Sequence, residues 1–147
     1  MASNTIVLKG DLGRRHEEGV ALGTIKPGML IEMVAAGTYQ AHSTAGSTIG
    51  NRKRTLVAKE DSLQGRTIDD NYTAGEVVFI HHCSPTDKLQ LIVAAGAAAI
   101  VKGDRLTSAG DGTVKKATAT EIPYFEADEA LDNSGGGAAV RISAWAL

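Results

Sequence analysis

The sequence predicts an all-β protein, a small β-barrel or sandwich-like domain with an extended N-terminal arm, and three observations carry that prediction. Glycines interrupt nearly every stretch, so no apolar stripe at i, i+3, i+4 and i+7 lasts three turns. Short runs rich in Val, Ile, Leu and Thr recur instead, each bounded by turn residues. The 147 residues include 22 Ala and 17 Gly but only 4% aromatics, so the core is thin and built from small aliphatic side chains. A chain of this length buries roughly 68–70% of the surface it exposes when unfolded, enough for one domain without disulfide staples.

The elements follow in order. Residues 1–20 read as an arm, because Arg14-Arg15-His16-Glu17-Glu18 is charged and has no periodicity. Its apolar residues Ile6, Val7, Leu8 and Leu12 are candidates to order on a partner by adding a strand to an exposed edge. Residues 21–147 read as a single β-rich domain with strands at 29–34, 54–58, 76–83, 88–94, 113–118 and 139–145. The Ser, Thr, Ala and Gly stretch at 40–51 and the Ser-Gly tract at 133–137 read as loops.

The clearest expected hairpin joins 76–83 to 88–94 through Ser84-Pro85-Thr86-Asp87, where Pro and Asp are turn formers. Placing Cys83 opposite Lys88 gives a core face of Val78, Ile80, His82, Leu89, Leu91 and Val93. The other face leaves Phe79 and Ile92 to be covered by a second packing layer or by a partner, so Phe79 is a candidate contact. If Val140 and Ile142 face the core, Trp145 points outward with Arg141 and Ser143, a second candidate.

An echo runs through the chain. Gly28, eight residues, then Gly37-Thr38-Tyr39-Gln40 matches Gly103, eight residues, then Gly112-Thr113-Val114-Lys115. Ala74-Gly75-Glu76-Val77 repeats the strand-opening part. In a Gly-rich chain recurrent turn chemistry explains this better than duplication.

Composition excludes several function classes. A net charge of −2 argues against a nucleic-acid binder, which needs a basic surface to neutralise phosphates. The N-terminus has no apolar signal region and no run approaches a membrane span, so synthesis in the cytoplasm as a soluble chain is expected. The single Cys83 rules out an intramolecular disulfide.

Few residues suggest chemistry. In His81-His82-Cys83, adjacent strand residues face opposite ways, so His81 and Cys83 share a side that His82 does not, and His16 and His42 lie apart from any paired ligand. No metal and no cofactor are expected. No base or orienting group accompanies Cys83, so it reads as a structural thiol. Asp69-Asp70-Asn71 reads as a side-chain-bonded turn, and Gly110-Asp111-Gly112 as a tight turn without the helix of a phosphate cradle. Arg52-Lys53-Arg54 is a basic run; it reads as a solvated face or, through Arg52 and Arg54, as a contact with an acidic protein partner.

The order of these pieces resembles the head decoration, or capsid cement, proteins of tailed bacteriophages. The matching pieces include Ile25-Lys26-Pro27-Gly28-Met29-Leu30-Ile31-Glu32, Ala41-His42-Ser43-Thr44-Ala45-Gly46, Leu63-Gln64-Gly65-Arg66-Thr67-Ile68-Asp69-Asp70-Asn71-Tyr72-Thr73-Ala74-Gly75-Glu76, Ile100-Val101-Lys102-Gly103-Asp104 and Ser108-Ala109-Gly110-Asp111-Gly112-Thr113. They extend from about residue 20 to the final Val140-Arg141-Ile142 segment. The resemblance implies a non-enzymatic β-rich protein on the outer surface of the mature capsid. It also implies a homotrimer or homodimer at local symmetry axes, with the major capsid protein as partner, bridging its subunits against internal DNA pressure. Two other readings compete: a tail or fibre accessory, and a small metal-binding β-barrel enzyme centred on His81, His82 and Cys83.

Overall fold

The computed structural model describes residues 4–10, 16–46 and 48–147. The strands among them are β1 (Val7–Lys9), β2 (His16–Ala21), β3 (Leu30–Ala35), β4 (Thr38–Ala41), β5 (Leu56–Ala58), β6 (Val77–His82), β7 (Lys88–Val93), β8 (Arg105–Ser108), β9 (Val114–Lys116), β10 (Phe125–Ala127) and β11 (Val140–Ala146). Two short 3-10 turns, Ile49–Asn51 and Ser62–Gln64, are the helical elements among the described residues. The expected all-β class is observed. Strands β2 to β6 close into a barrel in the order β2-β4-β3-β5-β6. Strands β7 to β11 close in the matching order β7-β9-β8-β10-β11, completed by the parallel Val93–Val114 pairing, and β1 adds to β7 outside the ring.

The two barrels are copies of one unit. In β3–β4 the partners are Ile31–Ala41, Glu32–Gln40 and Met33–Tyr39; in β8–β9 they are Leu106–Lys116, Thr107–Lys115 and Ser108–Val114, each residue 75 positions on. The parallel pair Ala21–Tyr39 recurs as Val93–Val114, and Ala58–Ile80 recurs as Ala127–Ala144. The isolated bridge Ile25–Tyr72 recurs as Ile100–Leu131. Even lone backbone bonds repeat: Lys59 N–H to Phe79 O becomes Asp128 N–H to Ser143 O, and Cys83 N–H to Thr55 O becomes Leu147 N–H to Tyr124 O. The glycine echo is therefore a duplication, contrary to the reading of it as recurrent turn chemistry.

The repeated turns explain why glycine persists where other residues diverged. Lys26–Met29, Thr73–Glu76 and Val101–Asp104 are each closed by a bond from the fourth N–H to the first carbonyl. Each has glycine third, at φ 92°, 88° and 91°, the left-handed position of a type II turn. Each turn then delivers its chain into a strand.

The barrels meet along an apolar seam. Leu30, Val57 and Ile68 of the first belong to the same core cluster as Leu89, Leu91, Phe125 and Ile142 of the second, while the interior of the first barrel forms its own cluster around Ile31, Tyr39, Val78 and Ile80. Leu30 N–H donates to Gly112 O at 2.8 Å, and Gly112 N–H donates to His42 O at 3.1 Å. Arg141, on the outer face of β11, donates to Pro27 O at 2.9 Å and to Ile68 O. A Cβ at Gly28 would come within 2.7 Å of the Arg141 guanidinium and 2.9 Å of Gln90 O, so the turn fits only as glycine.

Four expectations are corrected. The described residues among the first twenty do not read as a separate arm: β1 pairs with β7, β2 is a barrel stave, and Ile6 and Val7 are 0% and 3% exposed in the seam cluster. The arm fails as a reading because the edge of β7 upstream of its contact with β9 accepts β1 within the same chain. Leu8 is half-buried, and Leu12 lies outside the described residues. Second, 76–83 and 88–94 do not form a hairpin. Ser84–Asp87 is a turn, closed by Asp87 N–H to Ser84 O with Thr86 at φ 75°, but it carries the chain from one barrel to the other. Both edges of β6 are held by β2 and β5, and β7 is held by β11 on one edge and by β1 and β9 on the other, so neither has an edge left for the other.

Third, Phe79 is 8% exposed and lines a cavity of about 270 Å³ with Lys59, Glu60, Ser62 and Leu63, so this chain covers it. Ile92 is likewise buried, at 4%. Fourth, the charged stretch after residue 15 is a strand. Inward positions Glu17, Gly19 and Ala21 carry no large apolar group, because the Tyr39 ring lies where a side chain at Gly19 would be. Replacing Gly19 by Ala overpacks the barrel against Tyr39 and is expected to cost about 1–3 kcal/mol in denaturant unfolding. Gly75→Ala meets open space and is strained only by its φ of 88°, so a smaller loss, about 1 kcal/mol, is expected.

Candidate functional site

The mouth of the first barrel concentrates chemistry that its copy lacks. Inward alternation brings Glu17 of β2, Met33 of β3, Tyr39 of β4, Leu56 of β5 and His82 of β6 to one end. Met33, Tyr39, Leu56 and His82 line a cavity of about 160 Å³, with Glu32, Lys53 and Arg54 around it. At the equivalent positions the second barrel has Leu89 for Glu17, Ser108 for Met33, Val114 for Tyr39, Phe125 for Leu56 and Ala146 for His82. Leu89, Val114 and Phe125 are fully buried there.

Hydrogen bonds fix the protonation of the mouth. Tyr39 Oη donates to Glu17 Oε1 at 2.8 Å, and His82 Nε2 pairs with Glu17 Oε2. These two contacts, the Tyr39 hydroxyl first, hold the Glu17 carboxyl below the usual carboxylate range. Burial and the Glu17 charge push the Tyr39 phenol up, so it remains a donor. Glu32 is 4% exposed, and its Oε1 accepts from Gln40 Nε2 at 2.8 Å and from Ser43 Oγ at 2.6 Å. Desolvation opposes its ionisation, but those donors and the Lys53 ammonium outweigh it and keep the carboxyl low. Its Oε2 accepts no hydrogen bond, and the Lys53 ammonium stands 3.7 Å away.

The basic run borders this mouth and the seam. Arg52, Lys53 and Arg54 are exposed; the Arg52 guanidinium lies 5.7 Å from the centroid of Tyr124 in the second barrel, and Lys53 N–H donates to Tyr124 Oη at 3.4 Å. His42 is fully buried nearby, edge-on to Tyr124, and burial pushes its pKa down, so it stays neutral.

The other candidate residues are dispersed. His81 and His82 face opposite ways as expected: His81, 1% exposed, bonds Asp87 Oδ2 at 2.9 Å and braces the inter-barrel turn, whereas His82 serves the mouth. Among the described residues no group of three or more His, Cys, Asp or Glu side chains is placed to hold a metal. Burial pushes the Cys83 thiol up, far from a reactive thiolate. Asp70 accepts from Thr67 N–H at 2.6 Å and so closes a turn. Trp145 is half-buried on the outer face of β11, donating to Asp128 at 3.0 Å, with the Lys88 and Lys9 ammonium groups 5.3 and 5.7 Å from its ring. Sequence reasoning missed Glu17, Glu32 and Tyr39. The signal available was the glycine echo, which sets Tyr39 against Val114.

Glu17 carries a pH prediction. A carboxyl whose folded pKa is depressed stabilises the fold above the ordinary carboxylate value of about 4.3, and that contribution is lost as pH falls through the folded value. Tyr39→Phe is expected to raise the Glu17 pKa in a carbon-detected NMR titration. The difference in melting temperature between variant and parent should then narrow as the pH drops.

No protein-family model matches the chain, and no curated protein matches it. The fold has a counterpart among solved structures. The crystal structure of the N base of head fiber gp8.5 of bacteriophage phi29 is similar over 90% of this chain and 92% of that one, with a TM-score of 0.57 and 14% identity.

Proposed function

We propose that the chain is a structural, non-enzymatic virion protein that binds the outside of the mature phage capsid and bridges major capsid protein subunits. One observation carries this reading: the Val20–Val77 end of the outer face of β2 and β6 is apolar and bare, while Phe79 and His81 further along β6 are covered within the chain. Val20 and Val77, directly paired across those strands, are 43% and 48% exposed, and Leu22 beside them is 55% exposed. In the second barrel the equivalent residues are Ile92, Arg141 and Ala94; Ile92 is buried, and Arg141 is bonded to the Pro27–Gly28 turn and Ile68 of the first barrel. The fold therefore uses this face for docking once, within the chain, and presents it a second time uncovered. Clustered exposed apolar side chains of this kind mark contact surfaces.

The fold likeness to a head fiber base and the ordered sequence resemblance to cement proteins support a place on the head. The capsid is the occupant proposed for the bare face. Self-association as a dimer or trimer at a local axis, with Trp145, Arg52 and Arg54 as further contacts, belongs to the same proposal. A second reading, a fibre accessory, is favoured by the fiber component named in the similar structure.

Incubating purified protein with expanded, undecorated heads and imaging them tests the function. Density on the outer shell is expected; its absence there, or density on the tail, contradicts the reading. The double substitution Val20→Glu and Val77→Glu is expected to weaken occupancy by at least about tenfold, since burying two unpaired carboxylates costs several kcal/mol, while the melting temperature stays near that of the parent.

A further inference from the structure

We propose that the mouth of the first barrel is a socket for one lysine side chain presented by a partner protein. The second barrel supplies the control. It closes the same end with Leu89, Val114, Phe125 and Ala146, has Thr107 and Ser108 for Glu32 and Met33, and where the first has Lys53 and Arg54 it has Ile122 and Pro123. An end without charged groups therefore suffices for the fold. A buried carboxylate costs stability unless it gains partners, and Glu32 Oε2 accepts no hydrogen bond, so folding alone does not explain it.

Three features choose the guest. The cavity of about 160 Å³ holds roughly five water-sized groups, the number of heavy atoms in a lysine side chain. Its wall offers Met33, Leu56 and the Tyr39 ring to an aliphatic stem. The buried Glu32 Oε2 accepts no hydrogen bond, and a buried carboxylate oxygen gains most from a charged donor. Glu17 adds a second carboxylate at the same end, already held ionised by Tyr39 and His82. An anionic or an apolar guest would leave Glu32 Oε2 without a donor.

Lys53 is the group the guest displaces. Its ammonium is 3.7 Å from Glu32 Oε2, beyond hydrogen-bond distance, and its side chain is 49% exposed, so it withdraws to water at small cost. Arg54 and His82 stay where they are, His82 bound to Glu17. The socket does not depend on the capsid reading; it requires only a partner with a projecting lysine.

The test titrates the full chain with n-butylammonium chloride and, separately, with sodium butyrate, following the Met33 methyl and Tyr39 ring signals by NMR. Saturable shifts confined to the mouth are expected with butylammonium and not with butyrate. Glu32→Gln is expected to weaken binding at least about tenfold, the loss of a charge-assisted hydrogen bond. Lys53→Ala, which leaves the barrel interior intact, is expected to tighten it several-fold. Equal shifts with butyrate, no saturable shift with butylammonium, or affinity unchanged in both variants would overturn the socket. Because this readout uses no capsid, its failure would leave the capsid-binding proposal standing.

Discussion

The seam where the Pro27–Gly28 turn meets the outer face of β7 and β11 is the constraint on which the rest of the molecule depends. Arg141 reaches across to two carbonyls of the first barrel, and its partial burial is compensated by those bonds and by Asp69, 3.6 Å away. Around it Leu30, Val57 and Ile68 join the core of the second barrel, so neither barrel has a complete apolar surface alone. Gly28 and Gly112 show the two demands at work. Both share a positive φ with their counterparts Gly103 and Gly37, but only the seam pair sit where a Cβ would press on the opposite barrel. The counterparts face open space.

Duplication with divergence then accounts for the asymmetry of the molecule. Where Leu30 and Val57 line the seam, the second barrel carries Arg105 and Glu126, an exposed ion pair at 3.5 Å. That surface has become solvated. In the opposite sense, the Ile92–Arg141 end of the outer face that the second barrel hides is bare on the first at Val20 and Val77, and the mouth that the second barrel fills with Leu89 and Phe125 is polar on the first. One copy closes the fold, and the other keeps an apolar strip and a polar mouth exposed.

Much of this was legible in the sequence, for local reasons. Strands β3, β5, β6, β7, β9 and β11 fall inside the expected runs to within two residues, because β-branched and Leu-rich segments bounded by Gly and Pro carry their own signal. β2 was hidden because its inner residues, Glu17, Gly19 and Ala21, answer the bulk of Tyr39 from another strand. β10 is three residues long, and β8 opens on an exposed arginine. The hairpin at Ser84–Asp87 was misread because turn chemistry states that the chain reverses, not which strand claims the edge. For β7 that strand is β11, whose Trp145 lies opposite Lys88. The mouth was invisible because Glu17, Glu32 and Tyr39 are scattered in sequence and converge only when the barrel closes.

The claim that these features converge on is that the first barrel's β2–β6 face meets the partner while the matching β7–β11 face is spent within the chain. Hydrogen exchange of the protein, free and bound to expanded heads, tests it most directly. The account predicts new protection over residues 17–22 and 75–80 and none over 90–94 and 140–143. Protection of the β7–β11 face, or binding that leaves β2 and β6 unprotected, would contradict it.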